Sequence, residues 1–430
     1  MKVFFWLVLG ALVVSLLAAC SPGHTGDIEI GFLRDGALWA IDPDGSNLHQ
    51  IEAGQMIGFS WSPDHHLIAL RMQNNAPAGG ASPFGLSDLN SELGVTAIDG
   101  GNVIQITPPD SGLLRSDAWW DADGNRLLYR EESSDTNSSG GAPQWKLSQD
   151  DQPAGIARKD LPASVVLPAV NSDGSLIASI DAGGHVLVGS PGSAPQTVAT
   201  GALTILPGSN YPARPLWQPG TGSLLYATAG ASADDTRLWL RASDGTTRPL
   251  ATIPNLQQYA WSPDGRWLLA RTSSDYRLYS PSGDERFSWN DSASVSLPFW
   301  SPDSRFVLIL DPDGASLVNI AARRQSALLG GGVSLPPAPT VGQAPWLRPA
   351  ITSPWKSDSS ALLFTAAPGS IWSAQPDRAL PTGSGSGGGL YVSALNQQSS
   401  APQFPTLLDW GTHQSVAWST LDPNCAFLLT

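Results

Sequence analysis

Cationic residues are scarce in this chain. Its 430 residues include 23 Lys and Arg against 37 Asp and Glu, giving a net charge of −14. There is no basic stripe, and nothing denser than a pair such as Arg323-Arg324. Neutralising phosphates needs such a surface, so nucleic acid is not an expected partner. Cysteine is nearly absent: Cys20 and Cys425 are all there is, which rules out a disulfide framework. Cys425 is followed by Ala426, Phe427, Leu428 and Leu429 and reads as a buried, inert thiol. Long segments of period 3.6 are missing after the first residues, so helices are not expected. The histidines (His24, His49, His65, His66, His185, His413) form no His-x-x-x-His pair and no Cys/His cluster. No metal is therefore expected. Gly-x-Ser-x-Gly, phosphate-loop and dinucleotide motifs are also lacking, so neither a hydrolase elbow nor a cofactor is expected.

What is present is turn chemistry. There are 44 Gly, 36 Pro and 17 Trp, with only 14% charged residues. That composition suits many short strands joined by tight turns. The clearest unit runs from Tyr259 to Arg271. Tyr259-Ala260-Trp261-Ser262 is a short, mainly apolar strand. Pro263 presets φ for a turn, Asp264 can bond its own backbone, and Gly265 accepts positive φ. Trp267 to Arg271 is the returning strand, so the unit is a β-hairpin.

The unit recurs in eight copies, some degraded. Trp61-Ser62-Pro63-Asp64, Trp120-Asp121, Asn171-Ser172, Trp217-Gln218, Trp300-Ser301-Pro302-Asp303, Trp355-Lys356 and Trp418-Ser419 complete the set. A tandem repeat of about 40 to 60 residues built from strands predicts an all-β fold, a single β-propeller of four-stranded blades. Eight blades are expected. Seven is the alternative, if the Asn171 or the Trp418 copy is not a separate blade. The first strands, near Ile28 to Phe32 and Ala37 to Ile41, look like the later strands of a blade whose first strand is missing. Val416-Ala417-Trp418 can supply it, closing the ring by pairing the two ends of the chain. The repeat tryptophans are expected to pack between neighbouring blades.

Trp-Ser-Pro-Asp-Gly followed by an apolar strand resembles the TolB-type, WD-like propeller repeat. The resemblance covers nearly the whole chain after its first residues. Trp261, Pro263, Asp264 and Gly265 match in full; Trp61, Pro63 and Asp64, and Trp300, Pro302 and Asp303, lack only the glycine. Such a resemblance implies fold more than function, since the family mixes binding proteins, sensors and propellers attached to peptidases.

The beginning of the chain carries a further expectation. Met1-Lys2, an apolar run Val3 to Leu17, and Leu17-Ala18-Ala19-Cys20 resemble a bacterial lipoprotein signal. Residues 1–19 would then be removed, Cys20 acylated, 20–27 a tether, and 28–430 the propeller. An ordinary signal peptide or a membrane anchor is the alternative. The stretches Gln73 to Leu93, Glu131 to Asp160, Leu329 to Pro349 and Pro368 to Gly389 read as long loops. The Asp-x-Asp-Gly segments at Asp42/Asp44, Asp121/Asp123 and Asp311/Asp313 lack the later ligands of a calcium loop and read as turns.

Residues just before each first strand would line the entrance to a propeller's central channel. Arg115, Arg214, Gln258, Arg348 and His413 hold those positions and could meet an anionic or peptide ligand. The expectation is a monomeric, lipid-anchored, extracytoplasmic propeller of the cell envelope that binds a protein, peptide or glycan without catalysis. A glycan hydrolase or lyase using channel carboxylates is one alternative, and a sensory propeller of an envelope complex is another.

Overall fold

The computed structural model describes residues 30–418, except 63–65, 74–90, 109–112, 116–117, 121–126, 134–143, 148–158, 161–167, 172–174, 191–192, 208, 210, 291–296, 312–313, 331–353, 357, 367–388, 397–400, 403–405 and 411–413. The described residues are all-β, in antiparallel four- and five-stranded sheets, eight in number. The fold is propeller-type. The sheets are numbered 1 to 8 in chain order, beginning with the one that contains Ile30–Arg34.

Sheet 6 shows the plan. Leu256–Trp261, Leu268–Thr272, Asp275–Tyr279 and Glu285–Asn290 lie side by side in chain order. The second strand is buried at every position, whereas the outermost is mostly exposed, with only Trp289 buried. That gradient explains the sequence: a strand covered on both faces reads as a continuous apolar run. The plan has a turn end, where the first strand folds back into the second, and an opposite mouth end, where the chain crosses to the next sheet; in sheet 1 alone among the described sheets the first and second strands come from opposite ends of the chain.

The turn is held by its own side chains. Ser262 Oγ donates to Asp264 Oδ1 at 2.6 Å and accepts from the Trp267 N–H at 2.9 Å, while the Arg266 N–H reaches Asp264 Oδ1 at 3.0 Å. Ser301 and Asp303 repeat these bonds at 2.6, 2.9 and 3.1 Å. Asn171 takes the serine's part in sheet 4, its Oδ1 accepting from the Leu176 N–H at 2.8 Å. The degraded copy keeps the bond although it has lost the tryptophan.

Seven sheet-to-sheet junctions are formed by buried clusters. The repeat tryptophans sit in them, each against the preceding sheet: Trp61 on Leu33 and Leu38, Trp120 on Ala69, Trp261 on Leu225, Trp300 on Leu269, Trp355 on Phe299 and Leu308. Burying an indole removes about 200 Å² from water, about 5 kcal/mol as an upper figure. Three indoles also bond across the junction to a main-chain carbonyl: Trp120 to Ser60, Trp217 to Ala169 and Trp355 to Phe299, each at 3.1 Å.

The first and last described strands share sheet 1. Gln414–Trp418 pairs antiparallel with Ile30–Arg34, with Ile30 opposite Trp418 and Phe32 opposite Val416. This is the pairing the sequence suggests. The Asn171 and Trp418 copies belong to different sheets, 4 and 1.

One expectation is corrected. Glu131 to Asp160 is not a loop throughout, because Leu127–Ser133, Gln144–Leu147 and Lys159–Asp160 are three strands of sheet 3. Surrounding Gly, Ser and Asn hide strands this short from any periodicity count. Likewise Gln73 and Ser91 to Leu93 end and begin strands of sheet 2. The expected signal segment, Cys20, Pro63, Asp64, Arg348, His413 and Cys425 lie outside the described residues.

Candidate functional site

The mouth end collects an unusual set of buried charges. Among the described residues the buried charged side chains are Arg71, Arg115, Arg214 and Arg271, and no carboxylate is equally buried. Each sits at the mouth end of a first or second strand. Arg115 ends the short strand Leu113–Arg115. Arg214 precedes Leu216–Gln218. Arg71 and Arg271 lie near the far ends of Leu67–Gln73 and Leu268–Thr272. Asp35, Asp181 and Asp234 occupy this end too, in turns between second and third strands, and Asp235 and Asp275 begin third strands there, further from the first strands.

Sheets 2 and 3 share one group. Arg115 Nε meets Glu131 Oε2 at 3.0 Å, and its Nη1 donates to the Ser91 carbonyl. Arg71 Nη1 donates to the Arg115 carbonyl at 3.2 Å. A fully buried guanidinium needs such partners, because desolvating an uncompensated cation is prohibitive.

Sheets 5 and 6 share another. Tyr259 donates its hydroxyl to the Arg214 carbonyl. Burial pulls the Arg214 guanidinium down to about 10, an effect the neighbouring Tyr259 partly opposes, so it stays charged at neutral pH. Burial raises the Tyr259 hydroxyl well above its ordinary range, so it stays neutral. Arg271 Nη1 donates to Gln257 Oε1 at 2.7 Å. Gln257 is the extra residue of a bulge opposite the second strand, and Ile57 holds the same place in sheet 2, opposite the strand of Arg71. Gln258 Oε1 is buried with no donor among the described residues.

Of the five candidates, the structure thus places Arg115, Arg214 and Gln258 at the mouth end. The Arg214 carbonyl accepts from Tyr259, the residue after Gln258, while Arg115 belongs to the other group. Sequence reasoning missed Arg71 and Arg271, with Gln257 and Tyr259. A signal existed: Ile68-Ala69-Leu70-Arg71 and Leu268-Leu269-Ala270-Arg271 put a cation at the same register of an otherwise apolar strand. Leu127-Leu128-Tyr129-Arg130 repeats it. Among the described residues no three His, Cys, Asp or Glu converge as metal ligands.

No protein-family model matches the chain, and no curated protein does. Several solved structures are similar. A eukaryotic initiation factor aligns over 92% of this chain and 98% of its own, at 11% identity and a TM-score of 0.48. An oligogalacturonate lyase in complex with manganese aligns over 84% and 83%, at 13% identity and 0.44. The periplasmic gluconolactonase of Pseudomonas aeruginosa aligns over 91% and 98%, at 13% identity and 0.41. Likenesses at this level transfer no residue role to this chain.

Proposed function

We propose that the chain is a TolB-type propeller of eight blades closed in a ring, anchored outside the cytoplasm by an acylated Cys20, that binds an anionic peptide, protein or glycan at its mouth end without catalysis. The observation that carries this reading is that all four buried arginines among the described residues lie at the mouth end of the inner strands, Arg71 and Arg115 on sheets 2 and 3, Arg214 and Arg271 on sheets 5 and 6. These residues are at most 9% exposed and already bonded within the fold, so they would act on an anionic ligand through the positive field they lend the mouth end, which a low-dielectric setting strengthens. The overall charge of −14 makes the arrangement selective, since it disfavours non-specific polyanion adhesion elsewhere on the surface.

The test is titration of the purified mature protein with a panel of uronic-acid oligosaccharides and acidic peptides, read by calorimetry. Binding that weakens with salt and is lost in Arg214→Met supports the reading. Binding unaffected by Arg214→Met and Arg115→Met, or none across the panel with the fold intact, contradicts it. Chromatography of the same mixtures separates binding from cleavage, because appearance of shorter products would favour the hydrolase or lyase alternative.

A further inference from the structure

The lipid-anchor reading sets a geometric constraint once the fold is known. From the placement of Ile30 we infer that the turn end of the sheets faces the membrane and the mouth end, with its arginines, points away from it. This rests on acylation of Cys20, proposed above.

Ile30 pairs with Trp418, which holds in sheet 1 the place that Trp261, at the turn end of the first strand, holds in sheet 6. The chain therefore enters the fold at the turn end. It enters on a second strand, with two further strands, Ala37–Ile41 and His49–Glu52, outside it. Nine residues, 21–29, separate Cys20 from Ile30. Fully extended, that length spans about 35 Å. As a flexible chain it spans about 17 Å on average.

To put the mouth end against the lipid, the tether would have to pass the two outer strands and climb the sheet. Two strands at about 4.8 Å each and the five-residue strand Ile30–Arg34 at about 3.3 Å per residue make that path about 26 Å before any turn is counted. The relaxed tether falls about 9 Å short of it, so this orientation would hold the tether stretched, at a cost in chain entropy. With the turn end toward the lipid, the relaxed tether suffices.

Among the described residues several charges of the turn end pair locally: Arg266 with Asp264 at 3.7 Å, Arg305 with Asp303 at 3.8 Å, Lys356 with Asp358 at 2.9 Å. A polybasic cluster, which anionic lipid would attract, is not formed by these pairs. The tether, not the face, holds the protein in place.

The experiment uses full-length protein matured in a bacterial host and reconstituted in vesicles containing a headgroup dye. Ala322, exposed at the turn end, and Ala233, exposed at the mouth end, are replaced singly by cysteine in a Cys425→Ala background and labelled. Should Cys425→Ala fail to fold, an azide-bearing residue at the same two positions takes the label instead. Intact mass is read first. Absence of the acyl mass at Cys20 overturns the anchor and, with it, the orientation. With the acyl mass present, energy transfer to the headgroup dye should be several-fold greater from position 322 than from 233. Equal or reversed transfer overturns the orientation while the anchor stands. A Gly/Ser spacer of about twenty residues inserted after Gly23 should erase the difference by freeing the tether. Persistence of the difference would contradict control by tether length. Cys20→Ser should release the protein from anionic vesicles, and retention would show that the face itself adheres.

Discussion

The turns of sheets 6 and 7 make the same internal bonds yet differ at one residue. Sheet 6 has Gly265 at φ 67° where sheet 7 has Ser304 at φ 59° and sheet 8 has Ser359 at φ 60°. All three are left-handed, a conformation that costs a side-chain-bearing residue about 1 to 2 kcal/mol. The difference comes from the preceding sheet. A Cβ on Gly265 would lie 2.4 Å from the Pro219 carbonyl. Ser304 instead accepts from the Asp264 N–H at 3.0 Å, and Ser359 from the Asp303 N–H at 3.0 Å. Where the preceding turn is Trp-Gln-Pro-Gly, Gln218 reaches across to the Gly265 carbonyl at 2.7 Å. The motif's fifth position is thus chosen by the neighbouring sheet, not by the turn it belongs to.

The third turn of each sheet repeats the lesson. A Cβ on Gly283 would meet the Leu250 carbonyl at 2.2 Å, and one on Gly100 the Ile51 carbonyl at 2.6 Å, both in the preceding sheet. Gly245 has equally positive φ, 89°, but only the end of the Arg241 side chain nearby, at 3.2 Å. Gly283→Ala and Gly265→Ala should therefore each destabilise by about 3 kcal/mol or more, strain added to a backbone clash. Gly245→Ala should cost about 1 kcal/mol. Equal costs by urea unfolding would show that sheet contacts do not set these positions.

The tryptophans allow a second comparison. Trp355 donates to the Phe299 carbonyl, whereas the indole N–H of Trp261 finds no acceptor among the described residues. Both phenylalanine variants lose packing, but Trp355→Phe should cost about 1 kcal/mol more than Trp261→Phe, the value of one buried hydrogen bond. The reverse ranking would contradict the junction bonding described.

Ser304→Gly should be nearly neutral, within about 0.5 kcal/mol, because relief at positive φ offsets the lost bond. Ser304→Ala keeps the strain and loses the bond, at about 1 kcal/mol. If the glycine variant proves the worse of the two, relief of the left-handed strain does not set the cost at this position.

The smallest effect concerns acid. Burial raises the Asp275 carboxyl, but bonds from Arg277 and Thr272 outweigh it and hold the group below its ordinary 3.8. A depressed carboxyl contributes fully above 3.8 and loses its contribution as pH falls through its folded value. Asp275→Asn should therefore flatten the stability loss below that pH by a few tenths of a kcal/mol, since Asp275 is partly exposed. Unfolding curves at pH 7 and pH 3 for both proteins check this.

How much of this was legible in the sequence follows from the range of each interaction. Hairpins could be read from Trp-Ser-Pro-Asp-Gly because Ser262, Asp264 and Gly265 act within a few residues of one another. The pairing of the first and last described strands could be read because Val416-Ala417-Trp418 stands alone while the opening strands lack a first one. The strands Gln144–Leu147 and Lys159–Asp160 could not, being too short to show a period. The pairing of Arg115 with Glu131, and the meeting of Arg214 with Tyr259, join residues 16 and 45 positions apart, and no local pattern encodes such contacts. The choice between Gly265 and Ser304 depends on a turn one repeat earlier, which becomes visible only when two repeats are set side by side.

Removal of residues 414–430 tests the shared sheet most directly. It deletes the strand that pairs with Ile30–Arg34 and exposes Ile30 and Phe32, both fully buried. The prediction is a large fall in thermal midpoint with loss of a single cooperative transition. An unchanged midpoint with an equally sharp transition would contradict a sheet that depends on strands from both ends of the described chain.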